Sequence, residues 1–405
     1  MIRAIATAAA TALAITACSG DSPEATPSAT IGLPVPGVTA SAAPDNSGDT
    51  SIVPPTVSDP VESITVTGST DIATDLDAPW EAVFTSDGAA LITERDAGRI
   101  VRVVDGETTT LNGPGADAIA EATDPTGEAG LLGITLLPTD ESMLYAYLTR
   151  ADGNAVVRMD LDGDSLSVPA DVLTGIPKAS NHDGGRIAFG PDGHLYVATG
   201  DAAQPGLAQD QDSLAGKILR VTADGSDADG SVPEGNPFDS PVWSMGHRNV
   251  QGLAWLPDGT MVASEFGQSQ ADELNVIEPG ANYGWPAFEG LFGAPEGTEL
   301  GETANGFTYP VAQWSPTSTA SPSGIAATEA GVFVAALRGE ALFWIPWRAD
   351  AGFSEPETIV EDLGRLRAAV VDADGSLHAL TNNTDGRGSP TTGDDRLVRL
   401  QLEVD

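Results

Sequence analysis

The chain has 405 residues, 41% of them hydrophobic, and carries 59 acidic against 18 basic side chains for a net charge of −41. That length suits one large domain or two ordinary ones, and a field this negative argues against nucleic acid as a partner, because polyphosphate would be repelled. The single cysteine, Cys18, excludes an internal disulfide and a thiolate metal cluster.

In chain order, Met1-Ile2-Arg3 is a short positive region and Ala4 to Ile15 an apolar stretch too short for an ordinary membrane-spanning helix. It ends in Ile15-Thr16-Ala17-Cys18, which resembles a bacterial lipobox, where a small residue precedes a cysteine that is acylated and becomes the mature N-terminus. Residues 1–18 therefore read as a lipoprotein signal peptide with Cys18 as the lipidation site. The expected location is extracytoplasmic, with acyl chains holding the protein on the outer face of the cell membrane. The competing reading is an ordinary signal peptide with a chance cysteine. Residues 19–61 are rich in Pro, Ser, Thr, Ala and Gly. They cannot bury enough surface to offset their ordering entropy and read as a flexible stalk.

Residues 62–405 carry one recurring unit, a tight turn followed by an alternating strand. Four copies are clear: Ser86-Asp87-Gly88, Pro191-Asp192-Gly193, Pro257-Asp258-Gly259 and Ala373-Asp374-Gly375. Two degenerate copies, Thr139-Asp140-Glu141 and Glu329-Ala330-Gly331, fill the gaps. Asp-Gly supplies the positive φ of a tight hairpin, and the alternation predicts one strand face in a core. The six turns recur about 57 residues apart, close to the four-stranded blades of a β-propeller with its loops. The fold class is therefore all-β, a six-bladed β-propeller of four-stranded antiparallel blades. Helical periodicity is confined to Ala116–Ala122. The early strand Ser63-Ile64-Thr65-Val66 is placed to pair with the last strand and close the ring. A β-sandwich or two β domains would not explain six copies of one unit.

No H-E-x-x-H, nucleophile elbow, phosphate loop or dinucleotide fingerprint is present. Of the four histidines, His194 and His378 follow Asp-Gly turns and read as solvated. His182 (Asn181-His182-Asp183-Gly184-Gly185-Arg186) and His247 (Gly246-His247-Arg248-Asn249-Val250-Gln251-Gly252) each sit in a glycine-bearing loop before a strand. There the backbone can approach a ligand, although a hydrogen-bonded turn histidine is the commoner case.

These runs, with Thr199-Gly200-Asp201, Ser264-Glu265, Asp272-Glu273-Leu274-Asn275, Asn282-Tyr283-Gly284-Trp285-Pro286 and Arg365-x-Arg367, resemble soluble dehydrogenases of the glucose/sorbosone and aldose sugar family that use pyrroloquinoline quinone (PQQ). The resemblance covers about residues 75–400. It implies that His182 is the general base on the sugar's anomeric hydroxyl, with hydride passing to the C5 carbonyl of PQQ and electrons then to an external acceptor. It assigns Arg248, Asn249, Arg338, Arg365 and Arg367 to PQQ, whose three carboxylates suit bidentate arginines. It assigns calcium to the backbone carbonyls of Gly267 and Gln268, and a second, structural calcium to Glu273 and the Tyr283 carbonyl. Asn181 stands where glucose dehydrogenases have an aspartate before the base, with Asp183 as an uncertain substitute. Glu128 stands where they have a glutamine near the sugar, and Arg338 where some have a lysine. Trp314 is the candidate for stacking on a sugar ring, or else a core residue. The other readings are a non-catalytic cell-surface propeller binding carbohydrate or protein, and a calcium-dependent propeller hydrolase, which needs a central cluster of acidic and amide ligands.

Overall fold

The computed structural model describes residues 61–224 and 232–405, so the expected signal peptide, Cys18 and all but the end of the stalk lie outside the described residues. Six antiparallel sheets of four or five strands form the domain, with one short ribbon at Thr303–Ala304 and Phe307–Thr308. Their first strands are Pro79–Phe84 in blade 1, Leu131–Leu137 in blade 2, Ile187–Phe189 in blade 3, Val250–Trp255 in blade 4, Pro322–Thr328 in blade 5 and Leu366–Val371 in blade 6. Each first strand lies beside those of the blades before and after it. Leu366–Val371 returns to lie beside Pro79–Phe84, which makes six sheets a closed six-bladed propeller.

All six repeated turns join the first strand of a blade to its second. Four follow one hydrogen-bond plan. Gly88, Gly193, Gly259 and Gly375 take φ of 76 to 89°, and each donates its N–H to the carbonyl three residues back, at 2.9 to 3.0 Å. In three of them the turn aspartate accepts the N–H two residues on, as Asp258 Oδ1 does from Thr260 at 2.9 Å.

The core is not central but divided among the seams between blades. Six apolar clusters each join two neighbouring sheets, one per seam around the ring. The strands are thus buried on both faces, a correction to the single buried face expected from alternation. In Leu195–Ala198, Leu195 and Val197 face blade 2, whereas Tyr196 and Ala198 face blade 4. The strand Ile64–Ala73 pairs antiparallel with Leu397–Val404, so the first described strand completes the last blade. A nine-residue helix, Pro114–Ala122, covers the outer seam of blades 1 and 2 through Ile119.

His378 is corrected as well. It is 2% exposed, with its ring 4.6 Å from Phe84 in a tilted contact and its Nδ1 at 3.1 Å from the Ser376 carbonyl. His194 is half-buried, with Nδ1 at 3.0 Å from Arg220.

Leu397, fully buried in the seam joining blade 6 to blade 1, tests the closure. Leu397→Ala is expected to cost about 2–5 kcal/mol by equilibrium denaturation, because the stiff sheets on either side restrict collapse of the cavity. A loss well under 1 kcal/mol would show that this seam does not hold the ring shut.

Candidate active site

The chain enters each first strand at the same end of the ring at which it leaves the second strand. In blade 3, Ile187 lies opposite Val197, and the register carried outward sets the His182 carbonyl against the Ala202 N–H at 3.2 Å. In blade 4, Val250 lies opposite Glu265, which brings Arg248 and Asn249 to the side of Gly267 and Gln268. In blade 6, Leu366 lies opposite Thr381, which brings Arg365 and Arg367 to the same end.

His182 holds φ at 62°, a conformation costly for a side chain with a Cβ and common where function fixes the backbone. Two glycines permit it. A Cβ on Gly200 would meet the His182 carbonyl at 1.9 Å, and one on Gly184 would meet Thr199 Cα at 2.5 Å. The imidazole Nδ1 lies 2.7 Å from Asp201 Oδ1 and its Nε2 lies 2.8 Å from Arg248 Nη2. A guanidinium only donates, so Nε2 accepts and the ring proton resides on Nδ1, donated to Asp201. That tautomer leaves the lone pair on Nε2, at the cleft. Asp201 is fully buried, and it also accepts from Trp285 Nε1 at 2.9 Å and the Ala203 N–H at 2.8 Å.

The orienting carboxylate is therefore Asp201, which sequence reasoning passed over although it closes the Thr199-Gly200-Asp201 run. The signal was the hairpin register, which sets the residues before the first strand against those after the second. Asp183 does not substitute. Its Oδ1 accepts from Asn154 Nδ2 and the Ala179 N–H, both at 3.1 Å, and burial pushes its carboxyl above the usual range. Asn181 is half-buried, and the hydrogen bonds of the imidazole go to Asp201 and Arg248. His247 is a structural residue, fully buried between Ser244 and Glu265 and stacked on Tyr283.

A cleft of about 630 Å³ opens at His182, and its walls include Arg248, Asn249, Arg338, Arg365 and Arg387 with Gly267 and Gln268. Arg367 lies deeper, in an inner recess shared with Glu128, Leu337 and Arg387. Arg338 is exposed at the rim, whereas Arg365 is 6% exposed and paired with Asp385 at 2.9 Å. Arg367 is 7% exposed, lies 4.5 Å from the Trp80 ring and has no carboxylate partner among the described residues. Burial, then the charge of Arg95, pulls its guanidinium down to about 9. The Nε atoms of Arg248, Arg365 and Arg367 are buried without a hydrogen-bond partner. These groups are short of an anion, and a ligand with several carboxylates fits them. The acidic groups beside them are Glu128, Asp183, Asp272, Glu340 and Asp385.

Glu128 reaches the site as expected, but as a fastener. One oxygen accepts the His182 N–H at 3.2 Å and the other accepts Arg387 Nη1 at 2.9 Å. Burial raises its carboxyl, and the His182 N–H and the Arg387 charge outweigh that and hold it below the ordinary value. Arg387 was not anticipated. Trp314 is corrected: it is 7% exposed in the seam of blades 4 and 5, its ring 5.4 Å from Phe343, and it does not reach the cleft.

Glu273 and Tyr283 line a second, enclosed cavity with Glu265, Glu289, Arg248 and Gly267. Among the described residues, no group of three or more His, Cys, Asp or Glu side chains is placed to hold a metal ion. Even so, burial first, then the Glu265 and Glu289 charges, pushes Glu273 up to about 8. A buried carboxylate repelled by two others fits a cation. Asp272, beside Gly267, is pushed up to about 7, by burial first.

A carboxyl raised from 4.5 to about 8 binds more protons folded than unfolded across that interval. Its contribution is present in full below pH 4.5 and is lost as pH rises through 8. With chelator present, the urea midpoint of the wild type is expected to fall more between pH 5.5 and 8.5 than that of Glu273→Gln; parallel curves would show that Glu273 is ionised throughout.

The family model described as Glucose / Sorbosone dehydrogenase matches residues 76–398. Quinoprotein glucose dehydrogenase B of Acinetobacter calcoaceticus is 31% identical over 258 residues, 54% of this chain and 52% of that one, so the match spans about half of that relative's length. Aldose sugar dehydrogenase YliI of Escherichia coli (strain K12) is 30% identical over 343 residues, 77% of this chain and 89% of that one. Among solved structures, the PQQ-bound form of the aldose sugar dehydrogenase from Streptomyces coelicolor is 46% identical and superposes with a TM-score of 0.74, covering 84% of this chain and 98% of that one. The family match takes in every blade of the ring, and the chain belongs to the glucose/sorbosone dehydrogenase family.

Proposed function

We propose that the protein oxidises the anomeric carbon of aldose sugars to the lactone, with PQQ and calcium as cofactors and an external acceptor for the electrons. The observation that carries this reading is a histidine whose Nε2 opens on a cleft walled by four arginines, out of 18 basic side chains in a chain of net charge −41. The PQQ-bound relative and the quinoprotein relative support the cofactor.

Arg248, Arg338, Arg365 and Arg367, with Asn249, would hold PQQ. The Asn249 oxygen is committed to the Gly184 N–H at 3.0 Å, while its amide nitrogen makes no protein hydrogen bond. The carbonyls of Gly267 and Gln268 would hold calcium, and Glu273 with the Tyr283 carbonyl a second, structural ion. When bound, PQQ supplies a two-electron hydride acceptor and calcium a Lewis acid.

This chain's residues supply the proton chemistry. Nε2 of His182 takes the proton of the anomeric hydroxyl once Arg248 yields that position to the substrate. The resulting imidazolium is stabilised through Nδ1–H by Asp201, which does not itself need to change protonation. Trp285 and the Ala203 N–H fix that carboxylate, so the ring cannot turn its lone pair away. Glu128 borders the same space and accepts a sugar hydroxyl.

Attachment to the outer face of the cell membrane through lipidated Cys18 is supported by the Ile15-Thr16-Ala17-Cys18 run alone. Cys18→Ser is expected to move the protein from the detergent to the aqueous phase in a partition assay.

Reconstitution of apoprotein is expected to give dye reduction with aldoses only when both PQQ and calcium are added. In the holoprotein, His182→Ala and Asp201→Asn should each lower kcat by roughly 10²–10⁴-fold, the second by losing the required tautomer. PQQ binding should survive in Asp201→Asn. Absence of tight PQQ binding overturns the cofactor assignment, and full activity in His182→Ala removes it as the base.

A further inference from the structure

We propose that Trp80 is a positioning residue for the cofactor: its indole seats the guanidinium of Arg367 beside the cleft as a cation that no protein carboxylate neutralises, free to meet a carboxylate of the ligand. This rests on the PQQ reading above and adds a residue that acts through one of the arginines named there.

Trp80 lies in the first strand of blade 1, is 1% exposed and packs with Leu132, Tyr147 and Ile187. Two cations from other blades come to this one ring. Arg367, in blade 6, lies 4.5 Å from its centroid, and Arg186, just before the first strand of blade 3, lies 4.3 Å away. A Cβ on Gly324, in blade 5, would meet Arg186 Nη2 at 2.8 Å, so that arginine reaches across the axis of the ring. Asn382 donates its backbone N–H to the Arg365 carbonyl at 2.8 Å and its Nδ2 to the Pro79 carbonyl at 2.9 Å. The strand bearing Trp80 is thereby fixed against the strand bearing Arg367.

The neighbouring carboxylates are each taken by another arginine. Glu81 pairs with Arg186, Asp385 with Arg365 and Glu128 with Arg387. Arg367 is left with the ring. An aromatic face attracts a guanidinium through its quadrupole and occupies none of its N–H donors, whereas a carboxylate neutralises the charge and takes two of them. The recess that Arg367 lines shares Glu128, Phe266, Leu337 and Arg387 with the cleft, so the seated cation borders the ligand's space. The same arrangement recurs at Arg248, whose guanidinium lies 5.5 Å from the Trp285 ring and donates only to the Phe266 carbonyl and His182 among the described residues.

The indole is not placed for a hydrogen bond of its own. Its Nε1 is buried without a partner, a cost that phenylalanine avoids. Beyond bulk, what tryptophan adds over phenylalanine is the stronger cation-binding face.

The test is the affinity of apoprotein for PQQ in the presence of calcium, by calorimetry, in Trp80→Phe, Trp80→Leu, Arg367→Met and the double variant of the last two. Kd is expected to rise about 3- to 30-fold in Trp80→Leu and about 2- to 5-fold in Trp80→Phe, the scale of a lost or weakened cation–aromatic contact. In the Arg367→Met background, Trp80→Leu should add less than about a twofold loss, because the ring acts through that guanidinium. Losses that multiply in the double variant, as a general loosening of the core would give, overturn the proposal, and so does a Kd unchanged in Trp80→Leu. Should Trp80→Leu fail to fold, the cycle is run with Trp80→Phe, where an unchanged Kd overturns it equally. Trimellitate, a benzene tricarboxylate with no quinone, is titrated in parallel. Trp80-dependent binding of trimellitate by a protein that does not bind PQQ sustains the seat and sinks the PQQ reading, and a wild type that binds neither overturns both.

Discussion

The site depends on one buried hydrogen bond, from His182 Nδ1 to Asp201. Neither residue is in a strand; each sits where blade 3 leaves or enters the ring, and loop residues drift unless something holds them. What holds this pair is a relay of buried polar contacts. Asp201 is gripped by Trp285 Nε1, and the Trp285 carbonyl accepts Gln209 Nε2 at 2.7 Å. Gln209 ends the short helical turn Pro205–Gln209, whose Leu207 and Ala208 carbonyls accept the Lys217 ammonium at 2.7 and 3.1 Å. Lys217 is fully buried, and burial pulls its ammonium down to about 8. The cost of burying it is offset because three carbonyls surround it, the third being Ala215 at 2.8 Å. An interior cation thus performs the ordering of a loop that apolar packing could not reach.

The same logic governs the charge distribution. A chain of net −41 repels itself, yet at the ring's centre it buries cations. Arg186 and Arg367 both lie over Trp80, at 4.3 and 4.5 Å. Arg186 is also ion-paired to Glu81 and bonded to the Gln251 carbonyl, whereas Arg367 has only the ring. Burying an unpaired guanidinium is costly, and the recess beside Arg367 is where that cost is concentrated. The carboxylates Glu265, Glu273 and Glu289 are the complement, crowded around a second cavity. Arg248 lines both cavities.

Much of this was legible in the sequence because it rests on local rules. The six turns announced six hairpins, since Asp-Gly needs the positive φ that Gly88 and Gly259 show. The closing pair, Ile64–Ala73 on Leu397–Val404, followed from an unpaired early strand. The doubled burial of strands such as Leu195–Ala198 was not legible, because alternation of apolar residues on one face does not reveal what the other face meets. His378 misled for that reason: a polar residue after a turn reads as solvated until a neighbouring blade supplies Phe84. Trp314 misled because a tryptophan near site loops serves equally as seam filler.

Asn181 shows why a site is read better by register than by neighbours. A missing carboxylate beside the base suggested a weakened base, because adjacent residues in sequence were taken as adjacent in space. In a turn at φ 62° they are not: Asp183, the next residue, gives its carboxylate to Asn154 and the Ala179 N–H. The antiparallel pairing of Ile187 with Val197 decides the matter. It carries residue 201 to the ring whatever stands at 181. Position 181 is thereby released from holding the imidazole, and Glu128, joined to Arg387, is the carboxylate that borders the cleft beside it. That ion pair tethers the backbone of His182, so the cleft wall and the placement of the imidazole share one contact. A change at Glu128 therefore reshapes the cleft wall and loosens His182 together.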